Sequence, residues 1–381
     1  MQDSRFSLTP MQKPPATLGF SFPLNQQNID DKWEELYGWM GRKMGMLKSR
    51  TLTFAGRTLL YRSLVLSKIW YTCMVAAPSP TMVTRIQQQA WDFIWNGAKL
   101  HPSKEVAILP KSRGGINVPD VQLQVATYAA SLFQHALNNP DKVWAKHLLN
   151  QQANSCNRRT FWNALKTRSP RTDFSYHPKA GLRAWKEIQK NSPTQITFPS
   201  HMKFRELKRL IKPLPAAATP SFEPKTLDVP FTWNQVFNPD LPPKIQELLW
   251  RAAFNAQLNK SRLARINPAA FTSECDLCYG KETSSHMYAE CVEAKTFMDK
   301  VKLLIIGGST RQRRYLMGIA YQAIWFAHVE ARIAGKTISP NTYGSKYWGL
   351  LKYYKARTKK YDLRARWPSG KQEAFSFPSV G

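Results

Sequence analysis

Cys275, Cys278, His286 and Cys291 stand in the stretch CDLCYGKETSSHMYAEC, spaced Cys-x2-Cys-x7-His-x4-Cys. Thiolates and an imidazole are the soft and borderline donors that zinc prefers, and a Cys-x2-Cys turn lets two sulfurs reach one ion. Three cysteines and one histidine fill a tetrahedral shell and leave no position for an activated water. The expected centre is therefore structural zinc, which holds a fold together rather than breaking or forming bonds. The competing reading is a chance cluster of inert thiols around a buried histidine. It is disfavoured because just two other cysteines, Cys73 and Cys156, occur in the chain. Gly280, Ser284 and Ser285 suit the turns of a small metal loop, and Met287 and Tyr288 are placed to pack against Ile266 or Phe297 beside the ion.

Such a loop needs helices to hold it, and helical periodicity surrounds it. PKIQELLWRAAFNAQL before the loop repeats apolar residues at Ile245, Leu248, Leu249 and Ala252, and QRRYLMGIAYQAIWFAHVEARIAGK after it reads as another helix. Near the N-terminus, Asp30 and Asp31 are expected to cap a helix carrying Trp33, Leu36, Tyr37 and Met40 on one side. A second helix is expected from Ser49 to Ala76, with Leu59, Ser63, Leu66, Trp70 and Cys73 on one face, ended by the prolines of APSP. A third carries Met82, Ile86, Ala90, Phe93 and Ile94 and stops at Gly97. EVAILPKSRGGINVPD, residues 105 to 120, suits an extended loop or hairpin leading into the helix VQLQVATYAASLFQHAL. The predicted fold class is mainly α.

Charge narrows the partners. The 381 residues carry 55 Lys and Arg against 25 Asp and Glu, a formal +30, which favours a polyanion such as nucleic acid. Residues 158 to 225 alone hold 15 basic and 4 acidic side chains and read as a basic linker or weakly helical connector. The tail from Asn341 to Lys371 holds nine basic residues, one acid and seven Tyr or Trp, a mixture that can pair phosphates and stack bases. The alternative for this tail is an amphipathic helix packing Trp348, Leu351 and Tyr354 on the core. Candidate nucleic-acid contacts are Arg42, Lys43, Lys48, Arg50, Arg57 and Arg62 at the start of the first helices, then Lys111 and Arg113 before the Gly pair. Lys352, Lys355, Arg357, Lys359 and Lys360 follow in the tail. Of these Arg57 stands out, because Gly56 lets a backbone approach closely. For any single residue the alternative is a solvated helix face.

The most apolar stretch, residues 59 to 77, contains Arg62 and Lys68 and reads as a buried helix rather than a span, so no membrane partner is expected. An odd, sparse set of five cysteines and the lack of a basic-then-apolar leader imply an intracellular, reducing compartment. No pattern of a catalytic nucleophile and no Gly-rich phosphate loop is present.

Taken in order, these motifs resemble the C-terminal part of a reverse transcriptase from a non-LTR, LINE-type retrotransposon. LGFSFP is similar to the segment leaving the polymerase palm, and LTFAGRTLLYRSLVLSKIWYTCMVAAPSP to the thumb helix with its Gly56-Arg57 pair. WDFIWNG, LPKSRGGINVPD and ATYAASL follow in the family's order. PKIQELLWRAAFNAQL ahead of the Cys-His loop resembles the family's zinc-binding module, which AIWFAHVEAR closes.

Composition gives an irregular segment over 1–29 and a basic connector over 151–228, and the resemblance implies a thumb-like helical domain over 30–150. A zinc-binding module over 229–335 and a basic aromatic tail over 336–381 complete the order. It also implies contacts with element RNA or target DNA, the missing polymerase portion as a further partner, and a nuclear location. Polymerase chemistry in the family needs an Asp-Asp turn holding two Mg²⁺ ions, whereas the one Asp-Asp pair here, Asp30-Asp31, precedes a helix. The palm is expected to lie before residue 1. Beyond Cys291 the only Asp residues are Asp299 and Asp362, so no nuclease site is expected there. The expected activity is binding without catalysis, the alternative being a structural or protein-interaction remnant that binds no nucleic acid.

Overall fold

A computed structural model describes residues 16–17, 20–21, 26–139, 141–142, 145, 176–191, 202–226, 229–334, 338 and 340–357. The fold is mainly α, as predicted. One minimal antiparallel pair, β1 (Ala16–Thr17) with β2 (Phe20–Ser21), precedes the helices. The chain forms two compact units that interleave in sequence. The first takes 1–51, 57–96 and 119–215, and the second 52–56, 97–118 and 216–381.

The first unit begins with α1 (Gln26–Lys48), which buries Trp33, Leu36, Met40 and Met44 on one stripe. Asp30 and Asp31 lie inside this helix rather than capping it, because the helical backbone starts four residues earlier than the Asp pair suggested. The predicted second helix is α2 (Phe54–Leu60), a π-helical turn over Tyr61–Leu66 and α3 (Ser67–Val75). Its buried face differs in part from the expected one: Leu66 and Cys73 are covered as expected, together with Tyr61, Val65 and Ile69, whereas Leu59 is 63% exposed. Apolar residues stand on more than one side of this stretch, Leu59 and Leu64 exposed as well as Val65 and Ile69 buried, so periodicity alone did not choose between adjacent stripes. The hydroxyls of Ser63 and Ser67 donate to the carbonyls of Leu59 (2.8 Å) and Ser63 (2.9 Å) beside the π turn.

Helix α4 (Pro80–Trp95) is capped by Ser79, which accepts from the Met82 amide, and ends at left-handed Asn96, one residue before the expected Gly97. Helix α6 (Val121–Asn138) is capped by Asp120. Two helices lie within the region expected to be a basic connector, α7 (Tyr176–Asn191) and α8 (Phe204–Ile211). Both pack on α6, where Ala130, Phe133, Ala136, Ala184, Trp185, Ile188 and Leu207 form one apolar cluster. Asn191 closes the α7–α8 connection by donating from Nδ2 to the Leu210 carbonyl at 2.8 Å. Composition had left open a linker or a weakly helical connector, and the helices bury a narrow stripe between Lys and Arg side chains.

In the second unit the expected loop or hairpin over 105–120 instead contains α5 (Lys104–Ile108) and a 3-10 turn over Lys111–Arg113. The glycine pair after it serves packing. Gly114 has φ +92°, and a Cβ there would lie 2.5 Å from the Trp233 ring. Trp233 starts the short α9 (Trp233–Val236), and α10 (Pro243–Ala253) buries Ile245, Leu249 and Trp250, whose indole donates to the Gly114 carbonyl at 2.8 Å. Then come α11 (Lys260–Ile266), the Cys-His loop, α12 (Val292–Ile305), α13 (Thr310–Ala334) and α14 (Pro340–Arg357). Helix α13 is buried along most of its length, and α12 and α14 pack on it. Among the described residues, no helix is long and apolar enough to cross a membrane.

Candidate metal centre

Four predicted ligands converge. One donor atom from each of Cys275, Cys278, His286 and Cys291 lies within 4.8 Å of the others. Cys278 Sγ is 3.2 Å from His286 Nε2 and 3.8 Å from Cys291 Sγ. With Zn–S arms near 2.3 Å, a tetrahedron has S···S edges of about 3.8 Å, so the sulfur spacing fits this ion. Cys275, His286 and Cys291 are buried and Cys278 is partly covered, consistent with a closed shell.

Local backbone chemistry explains the sequence spacing. The Cys-x2-Cys turn is closed by hydrogen bonds from the Tyr279 amide to the Cys275 carbonyl (3.0 Å) and from the Cys275 amide to the Gly280 carbonyl (2.8 Å). The Leu277 amide points at Cys275 Sγ, 3.5 Å away. Gly280 is needed by close approach, because a Cβ there would sit 2.8 Å from His286 Cε1. The His-x4-Cys spacing is one π turn, His286–Glu290, closed by the Cys291 amide donating to the His286 carbonyl at 2.8 Å. Cys291 then becomes the N-cap of α12. Its thiol is held below the ordinary value, first by the hydrogen bond from Cys275, against burial, and further by the amides of Ala294 and Glu293. Cys275 is pushed up, first by that same hydrogen bond and then by burial. Nδ1 of His286 lies 4.0 Å from the exposed Glu290 carboxylate, and Nε2 is turned toward Cys278 Sγ.

The sequence did not reveal what anchors this loop. Glu282, midway between Cys278 and His286, has no solvent exposure. It accepts from the Lys260 amide (2.8 Å) and from Arg332, and its second oxygen is 3.2 Å from His328 Nδ1. His328 Nε2 is 3.0 Å from the Tyr343 hydroxyl on α14. Burial pushes the Glu282 carboxyl up, but the His328 hydrogen bond and the charge of Arg332 outweigh it and hold the pKa at about 2. Burial holds His328 below its ordinary value despite Glu282. The consistent state is a carboxylate paired with Arg332 and a neutral imidazole between Glu282 and Tyr343. His328 and Arg332 stand four apart in HVEAR, on one face of α13; that spacing was the available signal.

Two further ties complete the anchorage. Asn255 Oδ1 accepts from the Ser284 amide and hydroxyl, both at 3.0 Å. Tyr288 donates to Gln257 at 3.0 Å and stacks on Phe222 at 5.7 Å. Met287 and Phe297 are buried in the module core, as anticipated, whereas Ile266 is exposed.

The basic residues fall differently. Arg42, Lys48, Arg50 and Arg62 are exposed and Lys43 is half-buried in the first unit. Arg57 is 3% exposed; it donates to the carbonyls of Lys48 (3.4 Å) and Arg50 (3.1 Å) and lies 5.5 Å over the Phe93 ring. It thus ties the end of α1 to the apolar core. In the second unit Lys111 is exposed, with Nζ 5.6 Å from the Phe237 ring, and Arg113 is half-buried. Lys352 and Lys355 are exposed on α14, whose other face buries Leu351 and Tyr354, with Trp348 half-buried. The Arg357 side chain, Lys359 and Lys360 lie outside the described residues.

Comparison with known proteins agrees with the donor set. Residues 220–297 match the family described as zinc-binding in reverse transcriptase. A transposon TX1 uncharacterized 149 kDa protein from Xenopus laevis is 29% identical over 130 residues, covering 33% of this chain. The matched part spans 10% of that relative's length. Zinc is thus the ion implied both by three thiolates with one imidazole and by the family. Over residues 220–297 the chain is similar to the zinc-binding module of reverse transcriptases, and the retrotransposon resemblance read from the order of its motifs holds.

Proposed function

We propose that this chain binds nucleic acid, element RNA or target DNA, through its exposed basic helices, and that the zinc-stapled module supports this surface without catalysing a reaction. The observation that carries the reading is charge. Even if each of the 25 acids neutralised one cation, 55 − 25 = 30 Lys and Arg would remain, and a polyanion is the partner that offsets such an excess. The closed donor shell supports a structural role for zinc. Asp30-Asp31 lies within helix α1 rather than on a strand turn, so it has no arrangement for holding catalytic Mg²⁺.

The test is binding of the zinc-loaded chain to labelled single-stranded RNA and duplex DNA by fluorescence anisotropy across a salt series. With six to ten phosphate contacts, affinity falls by about 10³ to 10⁵ between about 50 and 200 mM salt. Absent binding at low salt, or affinity flat in salt, would refute the reading and favour a structural or protein-interaction module.

A further inference from the structure

Tyr279 occupies a backbone conformation that its type disfavours. Its φ is +58°, and the other non-glycine residues with positive φ among those described are all asparagines, Asn96, Asn117 and Asn255. Asparagine tolerates the left-handed region; a bulky aromatic is strained there. Burial gives no compensation, because Tyr279 is 78% exposed, and no described ring stacks on it. A Gly or Asn directly after the second cysteine would make the same turn with less strain. The ring therefore stands at the tip of the zinc turn at a cost to stability, and strain kept at an exposed position points to a ligand.

The surroundings indicate what that ligand is. The tip is held by the two backbone hydrogen bonds described above, and zinc bound through Cys275 and Cys278 would hold it further. Lys281, exposed, pairs with Glu274 across the base of the turn in an isolated bridge. Asp276, within the turn, is neutralised by Lys260, and exposed Arg265 follows on the same α11 helix. Phe271, a second exposed aromatic, lies four residues before Cys275. A solvent-facing ring at the tip of a closed turn, two residues from exposed Lys281, suits a flat, unpaired base with its phosphate.

Resting on the nucleic-acid reading above, we propose that Tyr279 is a base-stacking residue for single-stranded nucleic acid, with Lys281 contacting an adjoining phosphate. Stacking on an aromatic ring is tolerant of base and sugar, so RNA and DNA strands should respond alike.

The experiment compares the zinc-loaded full chain with Tyr279→Asn, which fits the left-handed turn but lacks the ring, and Tyr279→Phe, which keeps the ring. The probes are single-stranded RNA and DNA carrying 2-aminopurine, read by anisotropy and by quenching of the analogue. Tyr279→Asn is expected to retain one zinc and a thermal midpoint no lower than the parent. It should bind about tenfold more weakly on both strands, with the quench lost and the salt slope unchanged. Tyr279→Phe should bind as the parent does. If the parent binds with a steep salt slope and Tyr279→Asn matches it in affinity and quench, the stacking role is refuted while the nucleic-acid reading survives. If Tyr279→Phe is as weak as Tyr279→Asn, the hydroxyl rather than the ring face acts, and stacking is again refuted. If the parent binds neither strand, the nucleic-acid reading fails and the stacking role with it.

Discussion

Behind α6, α7 and α8 of the first unit, Phe133, Trp185, Ile188 and Leu207 meet in an apolar cluster, and charges stay at the periphery in pairs such as Lys212 with Asp120. In the second unit a carboxylate and an imidazole with no solvent exposure pair between a loop and α13, and the loop's cysteines and histidine converge into a group that could hold a metal. The contrast separates two ways of specifying a structure. Apolar packing is graded: volume-conserving substitutions cost little, and each lost contact costs a fraction of the total. A closed zinc shell and a buried polar network are closer to all-or-none, because removing one member leaves the remainder desolvated and unpaired.

Cys278→Ser should break this comparison most strongly. Structural zinc binding contributes about 10–16 kcal/mol in small zinc-dependent folds, so the variant is expected to lose its equivalent of zinc and the fold of residues near 240–335, while the first unit keeps its helices. Zinc quantitation with circular dichroism and limited proteolysis reads both parts; a variant retaining one zinc and a protected module contradicts the assignment.

Glu282→Gln comes next. It leaves Arg332 without its buried counter-charge, and breaking such a pair costs about 3–5 kcal/mol. Chemical denaturation should show that loss in the second unit alone. Acid acts in the same direction. Burial lowers the His328 pKa, so the unfolded chain takes up that proton first and stability falls as pH drops through about 6.5, the unperturbed histidine value. Glu282, held at about 2, adds a further loss from about pH 4.3 downward. Thermal midpoints of the second unit should therefore decline on acidification ahead of those of the first.

Gly280→Ala is the mildest change. Its Cβ would displace the His286 ring, and perturbing a ligand's support lowers metal affinity by about 10- to 100-fold. Competition with a chromophoric chelator measures this, and an unchanged affinity would show that the ring has room to move.

How much of this was legible in the sequence depends on the same contrast. Helices read from apolar spacing, such as α4 with Met82, Ile86, Ala90 and Phe93, emerged nearly to the residue. The convergence of Cys275, Cys278, His286 and Cys291 was legible because rare residue types at a metal-ligand spacing are themselves the signal. Glu282, His328 and Tyr343 did not, because a buried hydrogen bond joins residues far apart in sequence and leaves no period. Arg57 was expected to face phosphate from its charge and the neighbouring Gly56. Only the three-dimensional path of α1 shows that the Lys48 and Arg50 carbonyls lie within its reach. Helices α7 and α8 were obscured because 15 basic residues in that stretch outweighed a narrow apolar stripe.

The central claim, that one closed zinc centre organises the second unit, is tested most directly by amide hydrogen exchange on the zinc-loaded chain and on the chain treated with a chelator. Zinc removal is predicted to abolish protection across α10 to α13 and the loop between Cys275 and Cys291, with protection in α4, α6 and α7 retained. Protection that persists around Cys275–Cys291 after the metal is gone would contradict it.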